Sequence, residues 1–156
     1  MGILRSCLVA ALVLVVGLPA MAKNAKPFPG TQVIETGKPF GAFVKNLLAA
    51  AKANKMGIVG HACATCGAKN IVKTIPGTRV IMIFNPHFAV RMLAASEAAG
   101  IEAPLRLYVT EQSNGQARLT YRLPSAVFGA YDVADLDAMG KELDAIFATI
   151  VKQALK

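Results

Sequence analysis

The 156-residue chain is 54% apolar and 17% charged, formally +8, with three cysteines, two histidines and no tryptophan. That length suits one domain with one core, and the apolar share excludes a disordered chain. The lysines and arginines occur in ones and twos, with no dense run and no interleaved aromatic stripe, so nucleic acid is not an expected partner and a solvated basic surface is.

The N-terminus reads as a secretion signal. Arg5 supplies a short positive region, Cys7 to Leu18 is apolar and uncharged, and Ala20-Met21-Ala22 matches a small-x-small cleavage site before Lys23. Residues 1–22 are the predicted cleaved segment, 23–30 an extended entry with two prolines, and 31–156 a single domain. No later stretch reaches the roughly 20 apolar residues of a membrane span, so no stable span is expected after cleavage. Export, most simply to a periplasm, puts the remaining Cys63 and Cys66 in an oxidising compartment.

Thr31 to Glu35 is a short strand candidate. Pro39 to Asn54 is a predicted helix, with Phe40, Phe43, Val44, Leu47, Leu48 and Ala51 at helical spacing and proline in the first turn. Gly57 to Ala62 is a second strand running into the cysteines. Ile75-Pro76-Gly77-Thr78 marks a turn. Arg79 to Phe84 follows as a continuous apolar run, the pattern of a central strand buried on both faces. Asn85 caps a helix with Pro86 at its first position, Phe88, Ala89, Met92 and Leu93 on its buried face and Gly100 at its end.

Leu105 to Glu111 and Gln116 to Leu123 flank Ser113-Asn114-Gly115, and Asn-Gly favours a tight turn with positive φ at both central residues. Leu105, Leu107 and Val109 alternate with Arg106, Tyr108 and Thr110, while Leu119, Tyr121 and Leu123 alternate with Arg118, Thr120 and Arg122. One face is therefore apolar and packs on helices; the polar face is a candidate dimer surface. A long amphipathic helix from about Val133, capped by Asp132, closes the chain. The predicted order is β-α-β-β-α-β-β-α, an α+β single domain with a mostly antiparallel sheet and helices on one face.

Chemistry concentrates in Gly60-His61-Ala62-Cys63-Ala64-Thr65-Cys66-Gly67. His61, Cys63 and Cys66 are donors that zinc, copper(I) and iron accept, and His87 is the one other histidine. Covalent c-type haem needs histidine immediately after the second cysteine, where Gly67 stands; a non-covalent haem on His61, His87 or a cysteine stays open. Thiol-disulfide exchange needs a stabilised thiolate, for which Lys69, Lys73, His61 or a short helix near Thr65 could serve, although no thioredoxin-like context surrounds the pair. The plain alternative is a local disulfide or two buried thiols. His87, in a first helical turn, could hydrogen-bond a ligand or simply stand in solvent. Tyr108, Tyr121, Tyr131, Phe128 and Phe84 are pocket or core aromatics. No Ser/His/Asp order, paired carboxylates or phosphate loop points to an enzyme.

The chain resembles the bacterial domain-of-unknown-function 302 family. The likeness runs through Gly57-Ile58-Val59, Cys63-Ala64-Thr65-Cys66-Gly67-Ala68, Ile75-Pro76-Gly77-Thr78-Arg79-Val80 and Phe84-Asn85-Pro86-His87-Phe88-Ala89. It continues through Gly100-Ile101-Glu102-Ala103-Pro104, Tyr121-Arg122-Leu123-Pro124-Ser125 and the closing helix. The resemblance implies a fold similar to one half of the TATA-binding-protein architecture, and homodimers; it does not imply DNA binding. Shorter members carry a cysteine before the Asn-Pro step, where this chain has Phe84, so no role of that cysteine transfers. The expected function is an exported small-ligand-binding protein that holds a metal ion or metal cofactor, haem included, through His61, Cys63 and Cys66, with His87 as a further cofactor contact. The alternatives are thiol-disulfide exchange through Cys63 and Cys66, or a structural dimer with a local disulfide.

Overall fold

The computed structural model describes residues 27–156; the segment 1–22 expected to be a signal, and residues 23–26 of the expected entry, lie outside the described residues. Thr31–Pro39 forms β1 and Phe40–Ala53 forms α1. Phe43, Leu47, Ala50 and Ala51 make one stripe of α1, and all four are buried. Gly57–Ala62 is β2, Ala64–Asn70 a short helix α2, and Thr78–Phe84 β3. Pro86–Ala95 forms α3, with Asn85 as its cap: the Asn85 side-chain oxygen accepts the His87 N–H at 2.9 Å. Leu105–Glu111 and Gln116–Arg122 are β4 and β5, Pro124–Phe128 is α4, and Ala134–Ala154 is α5.

Four local expectations are corrected. α3 ends at Ala95 and not at Gly100, because Ser96 turns extended and Glu97–Glu102 proceeds as a 3₁₀ turn. The β4–β5 turn has positive φ only at Gly115 (+76°); the Gly115 N–H donates to Gln112 O at 2.8 Å, and the Gln112 N–H to Gln116 O at 2.8 Å. It is thus a longer loop than the two-residue turn that Asn-Gly favours. Asp132 does not cap α5: it adopts φ +54° at the end of a 3₁₀ turn, and Val133 takes the cap position without a side-chain bond. β3 is not buried on both faces. Ile81 and Ile83 are fully buried, whereas Val80, Met82 and Phe84 are only half-buried.

The last correction follows from the architecture. All five strands join one antiparallel sheet in the order β1-β5-β4-β3-β2. Helices α1 and α5 cover one face. Ile81, Ile83, Leu107, Val109, Leu119 and Tyr121 meet Phe43 and Leu47 of α1 and Leu136, Leu143 and Phe147 of α5 in one buried cluster. Tyr121 packs tilted on Phe147, ring centroids 5.4 Å apart. No helix covers the other face among the described residues, so outward side chains of β3 keep contact with water. The Thr36 hydroxyl, buried near the kink of β1, donates to Ala117 O at 2.6 Å, so it leaves no unpaired polar group. No described helix is long and apolar enough to cross a membrane.

α4 crosses α5 at Gly140, where an added Cβ would stand 2.8 Å from Ser125 Cα and 3.1 Å from its nitrogen. The same contact is tied by Asp144, which accepts the Ser125 N–H at 3.0 Å. Backbone atoms cannot yield as a flexible side chain can, so Gly140→Ala is expected to destabilise the fold by about 1–3 kcal/mol, measured as a lower urea midpoint with unchanged slope. Burial pushes the Tyr121 phenol up from its ordinary value, and the Asp144 carboxylate pushes the same way. A raised folded-state pKa contributes stability that is whole below the unfolded value of about 10 and is lost as pH climbs through the folded one. Between pH 9 and 11 the wild type should therefore lose more of its urea midpoint than Tyr121→Phe does.

Candidate functional site

Edge strand β2 runs directly into Cys63, which occupies the cap position of α2 and is bonded to Cys66 as a disulfide, with Cα atoms 5.2 Å apart. The Cys63 sulfur also accepts the Cys66 N–H at 3.0 Å. Two intervening residues at a helix start make this possible, since the first turn brings residue i+3 back over the cap. Cys66 is exposed and Cys63 half-buried. Gly57 to Gly77 contains Lys69 and Lys73 and no aspartate or glutamate of its own, and the helix start favours an anionic sulfur.

The disulfide loop is held by polar groups that the sequence pattern does not single out. The Thr65 side-chain oxygen, between the two cysteines, accepts the Thr78 N–H at 2.9 Å, and its hydroxyl donates to Pro76 O at 3.1 Å. Glu111 of β4 accepts the Gly77 N–H at 2.8 Å, and Gly77 O accepts the Glu111 N–H at 2.7 Å. Gly77 has no space for a side chain, because a Cβ would meet the Phe40 ring at 2.7 Å. The Pro-Gly pair read as a turn therefore also marks where the loop crosses α1. Thr65 could have been suspected as a small polar residue inside the cysteine pair. Glu111 lies 34 residues from its partner and leaves no local signal.

The expected site residues do not all meet. Cys63 and Cys66 come together. His61, also exposed, lies two residues earlier in β2, paired in register with Ile81. His87 stands at the other end of β3, in the first turn of α3. Seven residues of β3 separate the two ends, about 20 Å of extended chain, so His87 does not join the cluster. No three His, Cys, Asp or Glu side chains among the described residues gather where they could hold a metal ion. Sulfurs joined in a disulfide are not thiolates and make poor ligands; the three-donor set belongs to a reduced protein. Beside the start of α3 the core leaves a cavity of only about 30 Å³, lined by Met56, Phe88 and Met139 among others, room for about one water and not for a haem.

A one-sided antiparallel α+β domain with a surface disulfide at a helix start is the class these features define. The sequence profile of the family described as domain of unknown function DUF302 matches residues 30–153, and the chain belongs to that family. The crystal structure of the uncharacterized conserved protein DUF302 from Bacillus stearothermophilus superposes with a TM-score of 0.72 at 15% identity, covering 81% of this chain and 98% of that one. At that identity the likeness concerns the fold. No curated protein matches the chain.

α2 ends on an unusual residue. Val72 is 92% exposed and left-handed at φ +57°, a conformation that crowds a β-branched side chain. It is kept because the Lys73 N–H turns back to Ala68 O at 2.8 Å and closes the helix. Val72→Gly should therefore stabilise the protein by about 1 kcal/mol, seen as a higher thermal midpoint of the oxidised form.

Proposed function

We propose that the protein is an exported thiol-disulfide exchange protein in which Cys63 and Cys66 are the exchanging pair. One observation carries this reading: the Cys63 sulfur sits at the cap of α2 and already accepts the Cys66 N–H at 3.0 Å, in a segment with two lysines and no acid. A partner thiolate attacks the Sγ of Cys66, the more exposed cysteine. A bond forms between the partner and Cys66, the Cys63–Cys66 bond breaks, and the electron pair leaves on Cys63. That thiolate keeps the N–H bond and the positive end of the first helical turn. A second thiol of the partner then attacks the mixed disulfide and releases Cys66, which takes up a proton. The partner leaves oxidised by two electrons and the protein is reduced by two.

In the reduced state the same sulfurs and the exposed His61 offer donors to zinc or copper(I). Their short spacing along the sequence, His61-x-Cys63-x-x-Cys66, favours this second reading, which metal content separates from the first. At pH 7 the reduced protein is expected to react with iodoacetamide several-fold faster than glutathione does, and Cys63→Ser is expected to remove the fast phase while Cys66→Ser keeps it. A reduced protein no faster than glutathione would sink the exchange reading. A stoichiometric metal in the exported protein, lost in both serine variants, would replace it with the second.

A further inference from the structure

Two arginines on the uncovered sheet face lack the partners that the other ion-paired arginines have. Met82 of β3 pairs with Arg106, Val80 with Tyr108, and Tyr108 with Thr120 of β5. Two residues further in the same register, Arg106 stands opposite Arg122 on one face. The ion pairs among the described residues are Arg91–Glu142 and Arg118–Glu35. Neither Arg106 nor Arg122 has a carboxylate within ion-pair distance there, and residues 1–26 contain no aspartate or glutamate. Glu102 borders a small recess with both arginines; its carboxylate accepts the Tyr131 hydroxyl at 3.3 Å and keeps its charge, beyond ion-pair distance of either guanidinium. Like charges directly opposite across a sheet are destabilising, so folding alone does not account for the pair.

Both arginines line an open groove of about 360 Å³ with Phe28, Val80 and Tyr108. Phe28 is 80% exposed and Tyr108 40%. The backbone beneath Phe28 is nevertheless fixed. Its carbonyl accepts the Thr31 N–H at 3.1 Å, and Gly30 O accepts the Leu123 N–H at 2.7 Å. Gly30 lies left-handed at φ +76° directly against Ala126. An exposed aromatic ring thus stands on a fixed backbone, beside two arginines without an ion-pair partner among the described residues.

We propose that this groove binds a small soluble aromatic carboxylate, its carboxylate forked by Arg106 and Arg122 and its ring set between Phe28 and Tyr108. Paired guanidinium donors match the planar geometry of a carboxylate, and the aromatic walls match an apolar ring. The volume falls within the range of small-molecule sites. A second copy of the chain is the poorer occupant. A two-fold interface sets a patch against itself, which would bring four guanidinium groups together.

The test is titration calorimetry of the full exported protein with 1-naphthoate, with neutral 1-naphthalenemethanol as the control for charge. The expected result is saturable binding of naphthoate, weakened by salt and absent for the alcohol. Arg106→Gln with Arg122→Gln should weaken it at least about tenfold, and Phe28→Ala should weaken it while leaving the arginines in place. Thermal melts of each variant establish that it is folded. Two results would overturn the proposal: no binding of naphthoate, which tight binding to phosphatidylglycerol vesicles would then assign to a lipid surface, or equal binding by the folded double variant. A sedimentation dimer dispersed by Arg106→Glu would overturn it as well, by giving the face to a second copy.

Discussion

Among the described residues, five antiparallel strands bury one face only, beneath α1 and α5, and the rest of the molecule depends on that asymmetry. A sheet covered on one side must alternate apolar and polar residues along each strand, and β4 and β5 do so. It must also leave its second face and its two edges in water. The core takes its stability from the covered face, where Phe43, Leu143, Phe147 and Ile81 are shut away from solvent. The open face and the edge strand β2 are where chemistry can reach a partner.

Both candidate sites arise from this division. The disulfide begins where β2, an edge strand, ends. It lies on an excursion that leaves the sheet through α2 and returns at Thr78 under the grip of Thr65 and Glu111. The arginine pair lies on the open face, where β4 and β5 place alternate residues outward. Neither region contributes large side chains to the core, so both tolerate features that folding by itself disfavours. These are a β-branched residue in the left-handed region at Val72 and two like charges in register at Arg106 and Arg122.

The family membership and the fold of the Bacillus stearothermophilus protein account for the architecture; the chemistry has to be argued from side chains. Here the sulfur at the helix cap weighs more than the histidines. His87 is a first-turn residue of α3, a strand's length from the cysteines, and the core beside it is closed. His61 is the histidine near the cysteines along the chain, two residues before Cys63.

Periodicity and turn chemistry were enough to determine α1, α3, α5, the β4–β5 hairpin and the strand order along the chain, and the residue spacing alone set His61, Cys63 and Cys66 close together in sequence. Those features depend on residues close in sequence, such as Asn85 before Pro86 or Phe43 and Leu47 one turn apart. Tertiary structure alone decided the rest. That β3 is half-exposed depends on which face α5 covers, and its apolar outward residues disguise the fact. That His87 stands apart from the cysteines depends on which end of β3 each occupies. The Thr65–Thr78 and Glu111–Gly77 locks, and the meeting of Arg106 with Arg122, join residues distant along the chain. Such contacts exist only once strands have chosen their neighbours and register, and no local pattern records that choice.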